Sequence, residues 1–215
     1  MQKEATVYLD NAATTMACPE ALSAAKDAAE RIYANPSSLH GFGFSAEQLV
    51  NTARREIAQT ISASPDEIVF TPGGTFADNL AILGAARRNS RQGRHIITTS
   101  IEHSAVLNAV ENLEQNEKFD VTYIRPDKSG HICGEDVLKA IREDTILVSV
   151  MLVNNEIGTI QPVGEVAAAV KRRNAKILVH TDAVQAYTKI GINVAELGVD
   201  MLTLSGHKIH ALKGS

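Results

Sequence analysis

Cysteine is scarce in this sequence. Cys18 and Cys133 are the only two among 215 residues, too few and too far apart for a disulfide framework or a zinc knuckle, so a reducing compartment is the simpler expectation. Long hydrophobic runs are also missing. No apolar stretch approaches the roughly 18 residues of a membrane span, and Met1-Gln2-Lys3-Glu4 opens directly into polar sequence without a signal-like apolar region. The expectation is a soluble, cytoplasmic protein. Nor does one sign of charge dominate. The 21 basic and 25 acidic residues leave a net charge of -4, and Arg87-Arg88 and Lys171-Arg172-Arg173 are the only tight basic groups, which argues against a nucleic-acid footprint. No repeat, low-complexity tract or linker divides residues 1–215. The 44% hydrophobic content is enough for one substantial core and one large domain.

The segments themselves indicate an α/β domain. Pro19 to Tyr33 is alanine-rich with helical spacing, begins with a proline suited to a first turn and ends at Asn35-Pro36-Ser37-Ser38. Ser45 to Ile61 carries a second apolar stripe of Ala46, Leu49, Val50, Ala53, Ile57 and Ile61. Both helices are expected in the packing shell. From Glu67 onward, short β-branched runs alternate with helix-length stretches. The runs are Ile68-Phe70, His95-Thr98, Val121-Ile124, Ile146-Val150, Lys176-His180 and Val199-Thr203. Nearly continuous apolar runs of this kind predict a mostly parallel sheet buried on both faces between helices. In such sheets ligands gather at the carboxyl ends of the strands.

Chemistry-bearing residues fall at those ends. Lys208 lies just past the last run, flanked by Ser205, Gly206 and His207, where an amine can form an imine with an aldehyde while its neighbours hold an anion. A lone lysine is ordinarily a solvated charge. Gly73-Gly74-Thr75 follows the Ile68-Phe70 run and opens a helix, so its free N–H groups can cradle a phosphate, although a simple helix cap explains the same residues. His103 and Asp182 each follow a predicted strand, and Gln185 comes three residues after Asp182.

Together, Thr71-Pro72-Gly73-Gly74-Thr75, Ile101-Glu102-His103, Val153-Asn154-Asn155-Glu156-Ile157-Gly158, His180-Thr181-Asp182-Ala183-Val184-Gln185 and Ser205-Gly206-His207-Lys208 resemble the cysteine desulfurases. These are the NifS- and IscS-like branch of the class V aminotransferase family. The resemblance runs from Tyr8-Leu9-Asp10-Asn11 to Lys213-Gly214. It implies the large domain of the aspartate aminotransferase-like, fold type I architecture and the cofactor pyridoxal 5'-phosphate. It makes Lys208 the Schiff-base and proton-moving lysine and Asp182 the partner of the pyridinium nitrogen. His103 becomes the stacking histidine, and Gln185 and Asn155 bind the ring and its substituents. Gly74, Thr75, Ser205 and His207 form the phosphate cup. It further implies L-cysteine as substrate, alanine and an enzyme persulfide as products, a homodimer, and sulfur-acceptor or iron-sulfur scaffold proteins as partners, with no metal, nucleic acid or membrane.

Departures from the family pattern carry their own expectations. Phe76 stands where the family has an acidic residue, and Ala211-Leu212 where it has Gly-Pro. Family members are about twice as long. The implied remainder holds another strand of the sheet, the small domain, the substrate-gripping arginine and the cysteine loop; neither Cys18 nor Cys133 sits in a motif like that loop. The chain alone is therefore expected to bind cofactor without turning over cysteine, and to self-associate. Other readings are a non-catalytic truncated paralogue that binds a full-length desulfurase, another class V aminotransferase-type enzyme, and a metal-dependent hydrolase using His103, His180, Asp182, His207 and His210. The last leaves Lys208 and Gly73-Thr75 without a role.

Overall fold

Alternation within the apolar runs builds the sheet. In the computed structural model, which describes residues 7–215, Ile96 and Leu147 face one core cluster while their neighbours Ile97 and Val148 face another. A strand with apolar side chains in both directions must be covered on both faces. The chain supplies the covers in order. Helices α1 (Pro19–Arg31), α2 (Gly41–Thr60) and α3 (Gly74–Asn89) precede strand β1 (His95–Thr99). Then α4 (Ser104–Glu117), β2 (Asp120–Ile124), α5 (Gly134–Ala140) and β3 (Thr145–Ser149) follow. The last elements are α6 (Val163–Arg173), β4 (Leu178–Asp182), α7 (Val194–Leu197) and β5 (Met201–Thr203). The strands pair in parallel in the order β2-β1-β3-β4-β5. Helices α3 and α4 close one face through Ile82, Val106, Val110 and Leu113, and α5 and α6 close the other through Val137, Val166 and Val170. Fully burying an aliphatic side chain of this kind contributes about 1.5–3 kcal/mol, so the two clusters dominate the stability.

Three expectations fail. The run Ile68-Phe70 forms no strand: it is extended, with Val69 67% and Phe70 49% exposed. Its ladder groups are engaged elsewhere, since Arg54 donates to the Ile68 carbonyl and lays its guanidinium 5.0 Å from the Phe70 ring centroid. Helix α1 buries none of its residues, so its alanine stripe is not part of the packing shell; no described element packs over it closely enough. Helix α2 begins four residues before Ser45, because the His40 side chain accepts from the Gly43 N–H and caps it, and Leu49 in its predicted stripe stays 42% exposed.

Candidate functional site

The carboxyl ends of the strands open into a cavity of about 900 Å³. All nine residues singled out by the sequence, Gly74, Thr75, His103, Asn155, Asp182, Gln185, Ser205, His207 and Lys208, line it. One wall is the start of α3. Gly73 caps this helix with φ 146, a conformation that side-chain-bearing residues rarely adopt, so glycine is required there. A Cβ on Gly74 would lie 3.2 Å from Val184 Cγ2 and 3.4 Å from Ser205 Cβ. The two glycines thus bring the amino end of α3, with its free N–H groups and partial positive charge, close against Ser205. The helix begins at Gly74, as the sequence indicates, which puts Thr75 inside its first turn.

The opposite wall is the turn Gly206–Lys208 after β5. Its backbone is closed by Ile209 and Ala211 N–H groups on the Gly206 carbonyl, both 3.0 Å. The segment Thr14–Cys18 straps it from outside: Thr15 N–H and Oγ1 donate to the His207 carbonyl at 2.9 Å, and Thr15 Oγ1 accepts from the His210 N–H at 2.7 Å. Ala211-Leu212 therefore sits in a turn already held by its own backbone and by this strap. The strap was missed in the sequence, where Thr14-Thr15 carries no local signal.

Between the walls, His103 is the amino cap of α4. Its Nδ1 accepts from Ala105 N–H at 3.1 Å, which fixes the proton of the neutral ring on Nε2. A capping loop histidine and a cavity-facing ring are thus the same residue. Asp182 is the last residue of β4 rather than a residue beyond it. Its Oδ1 accepts from Val184 N–H at 2.9 Å. Burial pushes its carboxyl above the usual range, against the opposing pull of the Val184 N–H, His103 and Lys208. Gln185 is engaged by the protein itself, donating to the Ala12 carbonyl at 2.9 Å and accepting from Lys189 at 2.8 Å. Asn155 donates to Glu156 at 2.6 Å, and Ser205 Oγ to the Ser215 carbonyl at 3.0 Å. Burial, with Lys208 and Lys213 beside it, lowers the His207 pKa.

Acidic residues outside the predicted set also converge here. Asp78, one turn along α3 from Thr75, lines the cavity and is 1% exposed. Its spacing of three from Thr75 places it on the same helix face, the one signal that could have singled it out. Glu102 Oε1 accepts from Thr99 Oγ1 at 2.7 Å and Met151 N–H at 2.9 Å, pinning the end of β1 to the segment after β3. Among the described residues, the potential metal-ligating atoms that come together are those of Asp78, His103 and Asp182, all within 4.8 Å of one another. The set of His180, His207 and His210 does not assemble with them. Both His180 nitrogens are taken by Ser149 and Thr203, and His210 faces the Met16 carbonyl.

A parallel α/β sheet with a lysine turn, a helix amino end and a buried carboxylate around one cavity defines the class. A model of the family described as aminotransferase class-V matches residues 7–215, and the chain belongs to that family. Among named relatives, cysteine desulfurase IscS of Dictyoglomus turgidum is 46% identical over 208 residues, covering 97% of this chain and 52% of the relative. The solved structure of a NifS-like protein superposes with a TM-score of 0.94 at 41% identity, covering 97% of this chain and 57% of that one. That of SspA in complex with cysteine gives 0.93 at 42% identity, covering 97% and 59%. The chain spans about half the length of the curated relatives it matches.

Proposed function

We propose that residues 1–215 are the cofactor-binding large-domain part of a pyridoxal 5'-phosphate-dependent cysteine desulfurase, acting on L-cysteine to give alanine and a persulfide for iron-sulfur cluster or thio-cofactor synthesis. The observation that carries the reading is the convergence of Lys208, Asp182 and the glycine-framed amino end of α3 on one cavity. The donor set fits an elongated anionic aromatic group. Gly74, Thr75, Ser205 and His207 offer hydrogen bonds and Asp182 offers a carboxylate around the same cavity.

When bound, pyridoxal phosphate supplies an aldehyde that condenses with amines and a protonated ring that withdraws electrons from a substrate α-carbon. The chain supplies the rest. The Lys208 amine would hold the group and would be placed to move a proton at the substrate α-carbon. Asp182 would keep a proton on the ring nitrogen, His103 would cover the ring, and Asn155 and Gln185 would orient its substituents once Gln185 releases Ala12 or Lys189. Among the described residues, no arginine or cysteine lines the cavity. By this reading the grip on the substrate carboxylate and the sulfur-accepting thiol come from other residues, and the 215-residue chain alone binds cofactor without turnover.

The proposed assembly is a homodimer that serves sulfur-acceptor or scaffold proteins. Apolar side chains that remain exposed around the start of α2, Leu39, Phe42 and Phe44, support a covered surface there. Among the described residues no helix is long and apolar enough to cross a membrane, and a cytoplasmic location is part of the proposal. The test is titration of the purified chain with pyridoxal phosphate. The wild type should develop a visible absorption band that Lys208→Ala lacks. Equal bands in both proteins would contradict the reading.

A further inference from the structure

Two carboxyl groups meet at the floor of the cavity. Asp78 on α3 is 1% exposed and Asp182 on β4 is 6% exposed, with ligand atoms of the two, and of His103, within 4.8 Å of one another. Their surroundings differ. Asp182 accepts the Val184 N–H and lies beside the Lys208 amine and the His103 ring. Asp78 Oδ1 is buried with no hydrogen-bond partner. The nearest basic atom is His180 Nε2 at 3.6 Å. That ring is held by Ser149 at 2.9 Å and Thr203 at 3.1 Å, and burial lowers its pKa to about 4, so at neutral pH it brings no positive charge.

Two carboxylates this close and this dry cannot both ionise, so the pair keeps one proton. The charge settles where it is better compensated: only the Thr203 hydroxyl favours an ionised Asp78, whereas the Val184 N–H, His103 and Lys208 all favour an ionised Asp182. The proton remains on Asp78, whose pKa burial and the neighbouring Asp182 push up to about 8.

We propose that Asp78 is a positioning residue that carries the proton of the Asp78–Asp182 pair and so presents Asp182 to the cavity as a single, localised negative charge. The identity of the cation it meets, a protonated pyridine nitrogen, rests on the function proposed above; the shared proton does not. A second full charge on Asp78 would divide the attraction between two carboxylates and leave one facing neutral His180. Glu102, also buried and pushed up to about 8 by burial, titrates in the same window. The groups around Asp78 are thus Asp182, His103, His180, Glu102 and Lys208, and a substitution at Asp78 must be read against that background.

The test is unfolding of the 215-residue chain, without added cofactor, across pH 5–9. The folded Asp78 holds a proton that the unfolded chain loses above its ordinary value of 3.8. Its contribution to stability is therefore lost as pH rises towards 8. Asp78→Asn keeps the neutral shape and does not titrate. Its folding equilibrium constant relative to wild type should grow by about tenfold or more between pH 5 and 8, whereas Glu102, shifted chiefly by its own burial and least by Asp78, differs little between the two proteins. The gain should shrink in an Asp182→Asn background, where the repelling charge is gone. Parallel wild-type and Asp78→Asn profiles would overturn the proposal whether or not cofactor binds. Should Asp78→Asn not fold, Asp182→Asn alone must make the wild-type fall shallower, and an unchanged slope again overturns it. Diverging profiles in a chain that fails to take up pyridoxal phosphate sustain the shared proton and remove the cofactor reading instead.

Discussion

The two ends of the sheet treat buried polar groups in opposite ways. At the amino end, His95 is fully buried and both ring nitrogens are bonded, to Thr145 at 2.7 Å and Thr122 at 2.8 Å. Beside it Arg142 forks onto Asp144 and reaches Asp120 at 2.9 Å. Each of these groups has a partner. Towards the carboxyl end lie the four buried side-chain atoms without a hydrogen-bond partner among the described residues: Asp78 Oδ1, Thr98 Oγ1, Glu102 Oε2 and Thr181 Oγ1. An unsatisfied buried polar group costs about 1–3 kcal/mol. Concentrating them at one end marks that end as built for something other than stability.

Substitutions should separate the two ends. The largest effect is expected at the carboxyl end. Asp182→Asn should weaken pyridoxal phosphate binding by on the order of a hundredfold, because the amide leaves a buried cationic nitrogen without its charge partner. Equilibrium dialysis measures this, and unchanged affinity would break the comparison. Acid should expose the neutral His180. Its folded pKa of about 4 lies below the ordinary 6.5, so the stability it contributes is present above pH 6.5 and lost as pH falls towards 4. Over that span about 3 kcal/mol should disappear, which urea unfolding of wild type and His180→Gln would show as a shallower pH slope in the variant. At the amino end, His95→Leu should cost about 2 kcal/mol by stranding the Thr122 and Thr145 hydroxyls while leaving cofactor affinity unchanged. Arg142→Ala should be smallest, at most about 1 kcal/mol in the same assay, since its side chain is 44% exposed and its pairs are solvent-screened.

The same contrast explains what could be read in advance. Five apolar runs announced five strands because their side chains alternate into two cores, a property local to each run. Ile68-Phe70 carries the same local pattern, yet pairing is not local: without a neighbouring strand among the described residues, its carbonyl goes to Arg54. Helix α1 fails for the same kind of reason, since a stripe predicts a face and not what covers it. At the site, Lys208, Asp182 and His103 were legible because each lies at or just past the end of an apolar run and sits in a recognisable motif. Asp78 was not, because its importance arises only when α3 lays it against β4. The strap of Thr14 and Thr15 joins residues more than 190 positions apart, a contact no local pattern encodes.

The central claim is that the carboxyl end of the sheet is a cofactor site organised on one lysine. Its most direct test is borohydride reduction of the chain incubated with pyridoxal phosphate, followed by peptide mapping. The account predicts one phosphopyridoxyl label, on Lys208. A label on Lys189 or Lys213, or distributed over surface lysines with Lys208 unmodified, would contradict it.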